Sequence, residues 1–517
     1  MAEQEVEDLI DLLRRERVGG SFWAPQPSLP LGRDILLNPK SRQQADEMIR
    51  LARAKGVDDR CFVFVHQAAA GGTNELPELH GPADPWHMAD VVAEVWTDCD
   101  QELALVAAML DKPVLSLSDS QSPRRDLAEM VRRSVCSIAY HSPFDGRPMD
   151  ARGAVELLGN WRRLIDSNRD IAAVLGIAAW KRPTVDGLLW NGAGGPPHVR
   201  RPPASLGRNN WLAVWAARTT PAALDEIATS KSAIVEIEDG MIRGPGLGAN
   251  CVPPLSLVVD RRGIYFDPSK PSDLETILES ADIDGQLLDR AARLRRRVVE
   301  LGVTKYDSGR RARPAQLQSR QVLVVGQVED DRSVMSGGGG QSNLALLERA
   351  RQLEPDAWLI YRPHPDVEAG HRKGHVADEA ALRFADQVER GWSITDLIEA
   401  VDELHCITSL AGFEALLRGK AVTAHGVPFY SGWGLTRDLV PVPARRSRRR
   451  SIDELVAATL ILYPRYIDPV TRLPCQPEVL VERIAGGEAH VEAPLAGLRS
   501  LQGKLNLAIR RIREAVA

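Results

Sequence analysis

Three apolar runs in the second half of the chain are each followed directly by a motif rich in polar residues. The runs are QVLVV (Gln321–Val325), AWLIY (Ala357–Tyr361) and ELHCI (Glu403–Ile407). Short apolar runs that alternate with helical segments predict the buried strands of a parallel α/β sheet. Ligands of such sheets bind at the carboxyl ends of the strands. We therefore expect the functional site to be built from the motifs that follow these runs.

The same alternation of strand-like and helical segments predicts five parts along the whole chain. They are a half-module at residues 1–150, a connector helix and Gly/Pro-rich linker at 151–204, a first lobe at 205–305, a second lobe at 306–485 and an amphipathic helix at 486–517. GIYFD (Gly263–Asp267) is predicted to be one of the strands of the first lobe. The basic helix at the end is expected to pack or to face a partner, with a membrane-surface role as the alternative.

Two segments near the start of the chain resemble later ones in the same order. The paired segments are residues 92–114 with 401–422, and residues 142–158 with 468–484. Repeated order of this kind indicates an internal duplication. The first copy has no counterpart of the polar motifs, and it carries Asp98–Gln101 where the second copy has Ser409 and small neighbours. We expect residues 1–150 to be a degenerate half-module without catalytic chemistry.

Composition limits the class of protein. The chain has 517 residues, of which 44% are hydrophobic and 26% charged, as in soluble globular proteins of about three domains. A net charge of −5 gives no sign of nucleic-acid binding. The six cysteines form no CxxC pair, so no zinc site or disulfide framework is predicted. The charged N-terminus and the lack of a long apolar run predict a cytoplasmic protein without a signal peptide or membrane span.

The motif YRPHPD (Tyr361–Asp366) predicts an anion-binding strand end. Pro365 cannot continue a sheet ladder, so the chain has to turn there and present His364 beside Arg362. An arginine binds phosphate through two parallel N–H groups, and a histidine is a titratable donor. The alternative is a histidine that only caps the loop, and the motif alone favours neither.

The motif TSLAGFEALLRGKAV (Thr408–Val422) predicts a helix N-terminus directly after a strand. Thr408 and Ser409 would lie at that N-terminus, where N–H groups and the helix dipole favour an anion. The small residues Ala411 and Gly412 would let a ligand approach the backbone. Glu414 has a position from which to accept hydrogen bonds from ribose hydroxyls, or it only stabilises the helix. The absence of a GK[ST] P-loop argues against an NTPase.

Two groups of acids end strands in the two predicted lobes. Glu329, Asp330 and Asp331 close the motif GQVEDD, and Glu238 and Asp239 end a strand of the first lobe. Carboxylates that face each other across a cleft suit glycosyl transfer, in which one acid is the nucleophile and another the general acid/base. Turn acids and metal ligands are the alternatives, and either is more common than catalysis for one group alone.

Together and in this order, the motifs resemble one module of the KpsC family of capsule polysaccharide biosynthesis proteins, which includes the LipB-type proteins. EDGMIRGPGLGA, PPLSLVVDRRGIYFD, GVPFYSGWGLTRD and LYPRYIDPVTRLPC also match, so the resemblance covers roughly residues 205–485. It implies a retaining β-Kdo glycosyltransferase with CMP-Kdo as donor and the α/β GT-B fold of two Rossmann-like lobes. It also implies synthesis of a poly-Kdo linker on a (lyso)phosphatidylglycerol anchor for capsule export.

The resemblance further implies a role for each candidate residue. Asp331 is the expected nucleophile, with Asp330 as the other choice, and Glu238 is the expected general acid/base. The implied donor-binding residues are Gln327, Arg362, His364, Pro365, Thr408, Ser409, Glu414 and Lys420. Because CMP is a good leaving group, we expect no metal site and no cofactor besides the CMP-Kdo donor.

The expected partners are CMP-Kdo, a glycolipid acceptor with poly-Kdo on (lyso)phosphatidylglycerol, and other capsule biosynthesis or export proteins. We expect peripheral contact with the inner membrane and no nucleic acid. Arg445, Arg446 and Arg448–Arg450 are candidates to meet acidic Kdo or anionic lipid, or they belong to a solvated loop. A non-catalytic assembly subunit, and a transferase of another CMP-sugar such as CMP-sialic acid, are the alternative functions.

Overall fold

The computed structural model describes residues 3–65, 75–98, 101–117, 127–207, 209–244, 251–304, 320–370 and 372–489. The helix predicted at 486–517 lies almost entirely outside these residues. The chain forms two compact units, one made of residues 1–169 and 189–195 and the other of residues 170–188 and 196–517. The second unit contains every predicted site residue.

The first unit is a parallel sheet that is buried on both faces. Its strands are β1 (Ile35–Leu37), β2 (Cys61–Val65), β3 (Glu78–His80), β4 (Glu94–Trp96) and β5 (Val114–Leu115), with a separate hairpin of β6 (Tyr140–His141) and β7 (Pro148–Met149). Its helices are α1 (Glu3–Glu16), α2 (Arg42–Lys55), α3 (Pro85–Asp90), α4 (Glu102–Met109), α5 (Leu127–Val131) and α6 (Ala151–Asp166). Leu36 enters one hydrophobic cluster, while its neighbours Ile35 and Leu37 enter another, because successive strand residues point to opposite faces.

The second unit holds two sheets. Its strands are β8 (Ile171–Leu175), β9 (His198–Val199), β10 (Trp211–Val214), β11 (Ile234–Asp239), β12 (Ser256–Asp260), β13 (Gln321–Val325), β14 (Trp358–Arg362), β15 (Gln387–Val388), β16 (Glu403–Cys406), β17 (Ala421–Ala424), β18 (Arg437–Asp438), β19 (Pro464–Ile467) and β20 (Pro474–Cys475). Its helices are α7 (Arg182–Leu188), α8 (Pro221–Ser230), α9 (Asp273–Ser280), α10 (Gly285–Glu300), α11 (Arg332–Gly337), α12 (Asn343–Leu353), α13 (Pro365–Glu368), α14 (Asp378–Ala381), α15 (Ile394–Ala400), α16 (Leu410–Leu417), α17 (Ile452–Val456) and α18 (Pro477–Ala485). Within the described ranges, no helix combines the length and the apolar character that crossing a bilayer requires.

The N-terminal lobe is the sheet with strand order β20-β19-β12-β11-β10-β8-β9. It is wider than the predicted lobe at 205–305, because β8 pairs with β10 from one side and β19 pairs with β12 from the other. Strands from outside those bounds complete it, and a local pattern does not reveal such long-range pairing. The segment GIYFD is a turn, so the prediction of a strand there was wrong.

The C-terminal lobe is the parallel sheet with order β15-β14-β13-β16-β17-β18. The predicted strand at Gln321–Val325 is β13 itself, and β14 and β16 match the other two apolar runs to within one residue. Every residue of β13 and β16 is buried, which explains why both strands are continuous apolar runs. The predicted two-lobed α/β fold is confirmed.

The first unit repeats the topology of the C-terminal lobe. The strand order of the first unit is β3-β2-β1-β4-β5, and that of the C-terminal lobe is β15-β14-β13-β16-β17. Read in parallel, each strand of the first order has its equivalent at the same place in the second. Each copy then continues through a π-helical turn (Arg132–Cys136 and Ala457–Leu462), an antiparallel hairpin and a helix. In both copies a side-chain amide after the central strand donates to a threonine after the next strand, with Asn38 and Gln327 as the amides. This shared plan agrees with the duplication indicated by the sequence.

Candidate active site

A cleft of about 510 Å³ lies between the N-terminal and C-terminal lobes of the second unit. One wall is formed by the residues that follow β13, β14 and β16, as expected for ligand sites of parallel sheets. The predicted residues that line the cleft are Glu238, Gln327, Asp331, Arg362, His364, Pro365, Thr408, Ser409 and Glu414. Asp330 and Lys420 are not among its lining residues.

Ser409 begins the helix on the C-terminal wall. It is the N-cap of α16, and its hydroxyl accepts the Ala411 N–H at 3.2 Å. Gly412 does not face a ligand as expected, because a Cβ there would lie 2.2 Å from the hydroxyl oxygen of Tyr430. That hydroxyl donates to the Ser409 carbonyl oxygen at 2.6 Å. Gly412 therefore allows Tyr430 to brace the N-terminus of the helix.

His364 and Arg362 supply hydrogen-bond donors beside Ser409. His364 caps α13, and its Nδ1 accepts the Asp366 N–H at 3.1 Å, which assigns the proton of a neutral ring to Nε2. Arg362 donates to the Glu389 carbonyl oxygen at 3.1 Å, and burial lowers the pKa of its guanidinium. Both side chains line the cleft. His364 therefore both caps α13 and lines the cleft. Together with Arg362, it makes this part of the wall suitable for an anion.

Gln327 has a structural role that the sequence did not indicate. Its side-chain oxygen accepts the N–H groups of Ile407 at 3.1 Å and Thr408 at 2.8 Å. Its side-chain nitrogen donates to the Thr408 hydroxyl at 3.1 Å. These bonds join the ends of β13 and β16, so the Gln327 amide fixes the cleft wall.

Glu414 is buried in the wall of the cleft and already has a partner. One carboxylate oxygen accepts a hydrogen bond from the Thr304 hydroxyl at 2.7 Å. Both residues line the cleft, and only 7% of the Glu414 surface is exposed. A ligand hydroxyl that bonds to Glu414 would share the carboxylate with Thr304 or replace it.

Asp331 presents one carboxylate oxygen to protein donors and leaves the other beside a cation. As the N-cap of α11 it accepts the Ser333 N–H at 3.0 Å and the Ser333 hydroxyl at 2.8 Å, both on Oδ1. Its Oδ2 lies 3.9 Å from an Arg372 nitrogen. Asp330 pairs with the same arginine at 3.3 Å outside the cleft. Of the two acids, only Asp331 is placed to meet a ligand.

The wall of the N-terminal lobe contains a buried cluster of charges. Glu238 Oε1 accepts the N–H of Asp239 at 3.0 Å. The carboxylate of Asp239 is held on both sides, by Lys181 Nζ at 2.9 Å on Oδ1 and by Arg243 Nε at 3.0 Å on Oδ2. Lys181 Nζ also lies 3.3 Å from the centre of the Trp215 ring, and burial lowers the pKa of the ammonium. All five residues line the cleft.

Sequence reasoning missed Lys181 because it falls within the segment 151–204, which was assigned to a connector. The strand-like run IAAVL (Ile171–Leu175), followed by WKR at Trp180–Arg182, was the available signal. Arg332 was missed as well. It forms an ion pair with Glu236 of β11 and lies 5.0 Å from the Phe266 ring centre, so it joins the two lobes next to Asp331.

Two predicted cationic groups lie elsewhere. Lys420 donates to the Glu399 carbonyl oxygen at 2.9 Å and does not line the cleft. The arginine-rich loop is partly structural, because Arg446 pairs with Glu275 at 2.6 Å and Arg445 bonds to the same carboxylate. Arg450 donates to the Leu278 carbonyl oxygen at 2.6 Å. These three arginines hold the loop against the N-terminal lobe, whereas Arg448 and Arg449 are exposed.

Among the described residues, one group of side chains has a spacing that a metal ion could use. Glu354, Glu403 and His405 have ligand atoms within 4.8 Å of one another. Arg320 already pairs with both carboxylates. Glu403 is the first residue of β16, whereas the cleft lies beyond the last residue of that strand. This group is therefore separate from the candidate active site.

Comparison with known sequences identifies one family. The family model described as capsule polysaccharide biosynthesis protein matches residues 212–304 and 287–466. The capsule polysaccharide modification protein LipA of Neisseria meningitidis is 48% identical over 240 residues, which is 46% of this chain and 34% of LipA. The lipopolysaccharide-processing protein LpsZ of Rhizobium meliloti is 44% identical over 260 residues, which is 49% of this chain and 58% of LpsZ.

Two solved structures resemble this chain in fold and, at 30% identity, in sequence. The β-Kdo 2,4 transferase of Thermosulfurimonas dismutans KpsC is 30% identical with a TM-score of 0.53, over 61% of this chain and 98% of that structure. The β-Kdo 2,7 transferase of the same KpsC is also 30% identical, with a TM-score of 0.50, over 62% of this chain and 99% of that structure. The similarity thus includes nearly the whole of each solved transferase.

Proposed function

We propose that this chain, which belongs to the family of capsule polysaccharide biosynthesis proteins, is a retaining β-Kdo glycosyltransferase. Its donor is CMP-Kdo, and its acceptor is a Kdo-bearing glycolipid on (lyso)phosphatidylglycerol. The similarity to two Kdo transferases supports the class of sugar. The observation that carries the proposal is a single cleft that holds Asp331, Arg362 and His364 on one wall and Glu238 on the other.

The C-terminal wall would hold the nucleotide. Arg362, the Nε2–H of His364 and the N-terminus of α16 at Ser409 offer donors to a phosphate. Glu414 would accept a hydrogen bond from the ribose. The same donors stabilise the negative charge that grows on the CMP phosphate as it leaves.

The first displacement forms a covalent intermediate. Asp331 Oδ2 attacks the anomeric carbon of Kdo, and the bond from that carbon to the CMP phosphate oxygen breaks. The bonding electron pair leaves with CMP, and the sugar is then esterified to Asp331. Oδ2 is the attacking atom because Oδ1 is engaged by Ser333, which also fixes the orientation of the carboxylate.

The second displacement transfers the sugar. An acceptor hydroxyl attacks the anomeric carbon, its proton passes to Glu238, and Asp331 leaves as a carboxylate. Two inversions at one carbon give retention of configuration. Lys181 and Arg243 hold Asp239, and the N–H of Asp239 holds Glu238, so the buried cluster would orient the base.

The acceptor in this proposal is linked to lipid, so the chain would work in peripheral contact with the inner membrane and beside other capsule proteins. The first unit has the topology of a nucleotide-binding lobe, but Gln101 caps α4 where Ser409 caps α16, and Asp98 lies between β4 and α4. Asp98 is nearly buried and pairs with Lys40 at 3.3 Å. A carboxylate in that place opposes an anion, which supports one transfer site per chain.

The direct test supplies the full chain with CMP-Kdo and a synthetic acceptor that ends in β-Kdo. The proposal predicts addition of Kdo in the β configuration, read by mass spectrometry and by the NMR signals of the product. CMP-sialic acid is the matched donor. A product from CMP-sialic acid alone would favour another CMP-sugar, and the absence of product and of CMP release with both donors would favour a non-catalytic subunit.

A further inference from the structure

Asp366 differs from the other carboxylates that line the cleft. It is the second residue of α13 and only 8% exposed. Its Oδ1 is buried and has no hydrogen-bond partner in the part of the chain that the structure describes. By contrast, Asp331 is held by Ser333 and Glu414 by Thr304. The motif predicts donor-binding roles for Arg362, His364 and Pro365 but none for Asp366.

Nothing in α13 satisfies this oxygen. The N–H of Asp366 itself donates to His364 Nδ1, so it is not available to a carboxylate. An acid in the first turn interacts favourably with the helix dipole, but α13 has only four residues and the dipole supplies no hydrogen bond. A buried carboxylate oxygen without a donor is unfavourable, because it has lost water and gained no partner. A donor from a bound ligand would remove that cost.

The chemistry around Asp366 restricts what the donor can be. Arg362 and His364 lie in the same motif and line the same cleft, and in the proposed function they face the phosphate. A phosphate at neutral pH is an acceptor, so it cannot supply the hydrogen bond. The groups that flank the phosphate of a sugar nucleotide are the ribose on one side and the transferred sugar on the other, and both carry hydroxyls.

We propose that Asp366 accepts a hydrogen bond from a hydroxyl that flanks the phosphate of the bound sugar nucleotide, and that it is a specificity-determining residue of the donor site. This inference rests on the proposed function, because it takes the ligand to be a sugar nucleotide. The phosphate-binding residues require only a phosphate of the ligand, whereas Asp366 also requires a hydroxyl. A ligand with the phosphate but without the hydroxyl would leave the carboxylate unsatisfied and would bind more weakly.

The experiment measures nucleotide affinity by calorimetry in an Asp331→Asn background, which blocks the proposed covalent step. The probes are CMP, 2′-deoxy-CMP and CMP-Kdo. Each probe is measured with three proteins: Asp331→Asn alone, Asp331→Asn with Asp366→Asn, and Asp331→Asn with Asp366→Leu. Loss of a hydrogen bond to a charged group predicts a Kd about ten-fold or more higher for the probe that carries the hydroxyl. A loss with CMP and CMP-Kdo identifies the ribose, and a loss with CMP-Kdo alone identifies the transferred sugar.

A structural role is tested by stability without ligand. Because Asp366→Leu removes an unsatisfied buried carboxylate, its melting temperature is expected to equal or exceed that of the parent. Asp378→Asn is the matched control, since Asp378 is a half-exposed first-turn acid of α14 that pairs with Arg390 away from the cleft. It should change neither affinity nor melting temperature appreciably.

Three results would overturn the inference. Unchanged affinity of both Asp366 variants for all three probes would refute it and leave the proposed function intact. A lower melting temperature of Asp366→Leu, with equal losses for every probe, would make Asp366 a structural residue. Failure of the parent to bind any of the three nucleotides would overturn the proposed function and this inference with it.

Discussion

The ammonium group of Lys181 lies 2.9 Å from Asp239 Oδ1 in the cleft wall of the N-terminal lobe. Arg243 holds the other oxygen of the same carboxylate at 3.0 Å. The two cations therefore fix both oxygens of the partly buried Asp239 carboxylate, next to Glu238. Because Asp239 is anchored in this way, it fixes the position of Glu238, its neighbour on β11. In the proposed mechanism, Glu238 is the base.

Lys181→Met should lower kcat/KM for Kdo transfer about ten-fold, because it leaves one oxygen of the partly buried Asp239 carboxylate without its cation. The loss should fall on kcat, since in the proposed mechanism the nucleotide binds to the C-terminal wall. Lys55→Met changes an exposed lysine at the end of α2 and is the control. Transfer by Lys181→Met at the parental rate would show that the cluster does not orient the catalytic base.

Glu414→Gln should raise the Kd for CMP about ten-fold, because a neutral amide accepts a hydrogen bond more weakly than a carboxylate does. Thr304→Ala is the matched variant, since it removes the hydroxyl that now occupies the Glu414 oxygen. Its Kd for CMP should stay the same or fall. An equal loss of affinity in both variants would instead indicate that the Thr304–Glu414 pair only maintains the cleft wall.

The Arg332–Glu236 ion pair joins the lobes beside Asp331. Removing it with Arg332→Met or Glu236→Gln should lower the rate of transfer while the Kd for CMP changes by no more than about two-fold, because in the proposed mechanism CMP binds to the C-terminal wall. A double-mutant cycle on the transfer rate should give a coupling of about 1 kcal/mol, as for partly exposed ion pairs. Additive losses would show that the two residues act separately.

Part of the candidate site can be predicted from the sequence and part cannot, for reasons that differ between residues. The strands before Gln327, His364 and Ser409 could be predicted because each is a continuous apolar run buried on both faces. Lys181 could not be assigned, since β8 joins its sheet through pairing with β10, which lies 36 residues further along. The pairing of Arg446 with Glu275 is equally remote in sequence, so a run of arginines resembled a ligand surface.

The roles predicted for residues within the motifs also differ from the contacts that these residues make. Gln327 follows a strand as a ligand-binding residue would, but its amide ties two strand ends together. Gly412 suggested close approach of a ligand, but Tyr430 occupies that space. A single sequence shows where polar residues follow strands, and it does not show which of them bond to neighbouring strands.

Stability should fall between pH 7 and pH 5 because of His425. Burial, together with the charges of His405 and nearby arginines, lowers the pKa of His425 to about 3. The unfolded chain titrates near 6.5, so below that pH it binds a proton that the folded chain excludes. The expected loss is about 2 kcal/mol of unfolding free energy at pH 5, measured by urea unfolding at pH 7, 6 and 5.

His425→Asn should flatten this pH dependence, whereas the exposed His80 allows a control substitution, His80→Asn, that should preserve it. A second loss should begin below pH 4.5, because His405 and the Thr423 hydroxyl lower the pKa of Glu403 to about 2. That group stabilises the fold above its unfolded pKa and ceases to do so as pH falls through the folded value. An unchanged slope in His425→Asn would assign the pH dependence to other groups.

If Asp331 is the nucleophile of a double displacement, Kdo must become esterified to its carboxylate during the reaction. Intact-protein mass spectrometry of the full chain after mixing with CMP-Kdo, without acceptor, tests it most directly, with Asp331→Ala and Asp330→Ala alongside. We expect a mass gain of one Kdo in the parent and in Asp330→Ala, and no gain in Asp331→Ala. The fragment spectrum of the modified protein should place the sugar on Asp331. An adduct that persists in Asp331→Ala, or transfer to acceptor by that variant at the parental rate, would contradict it.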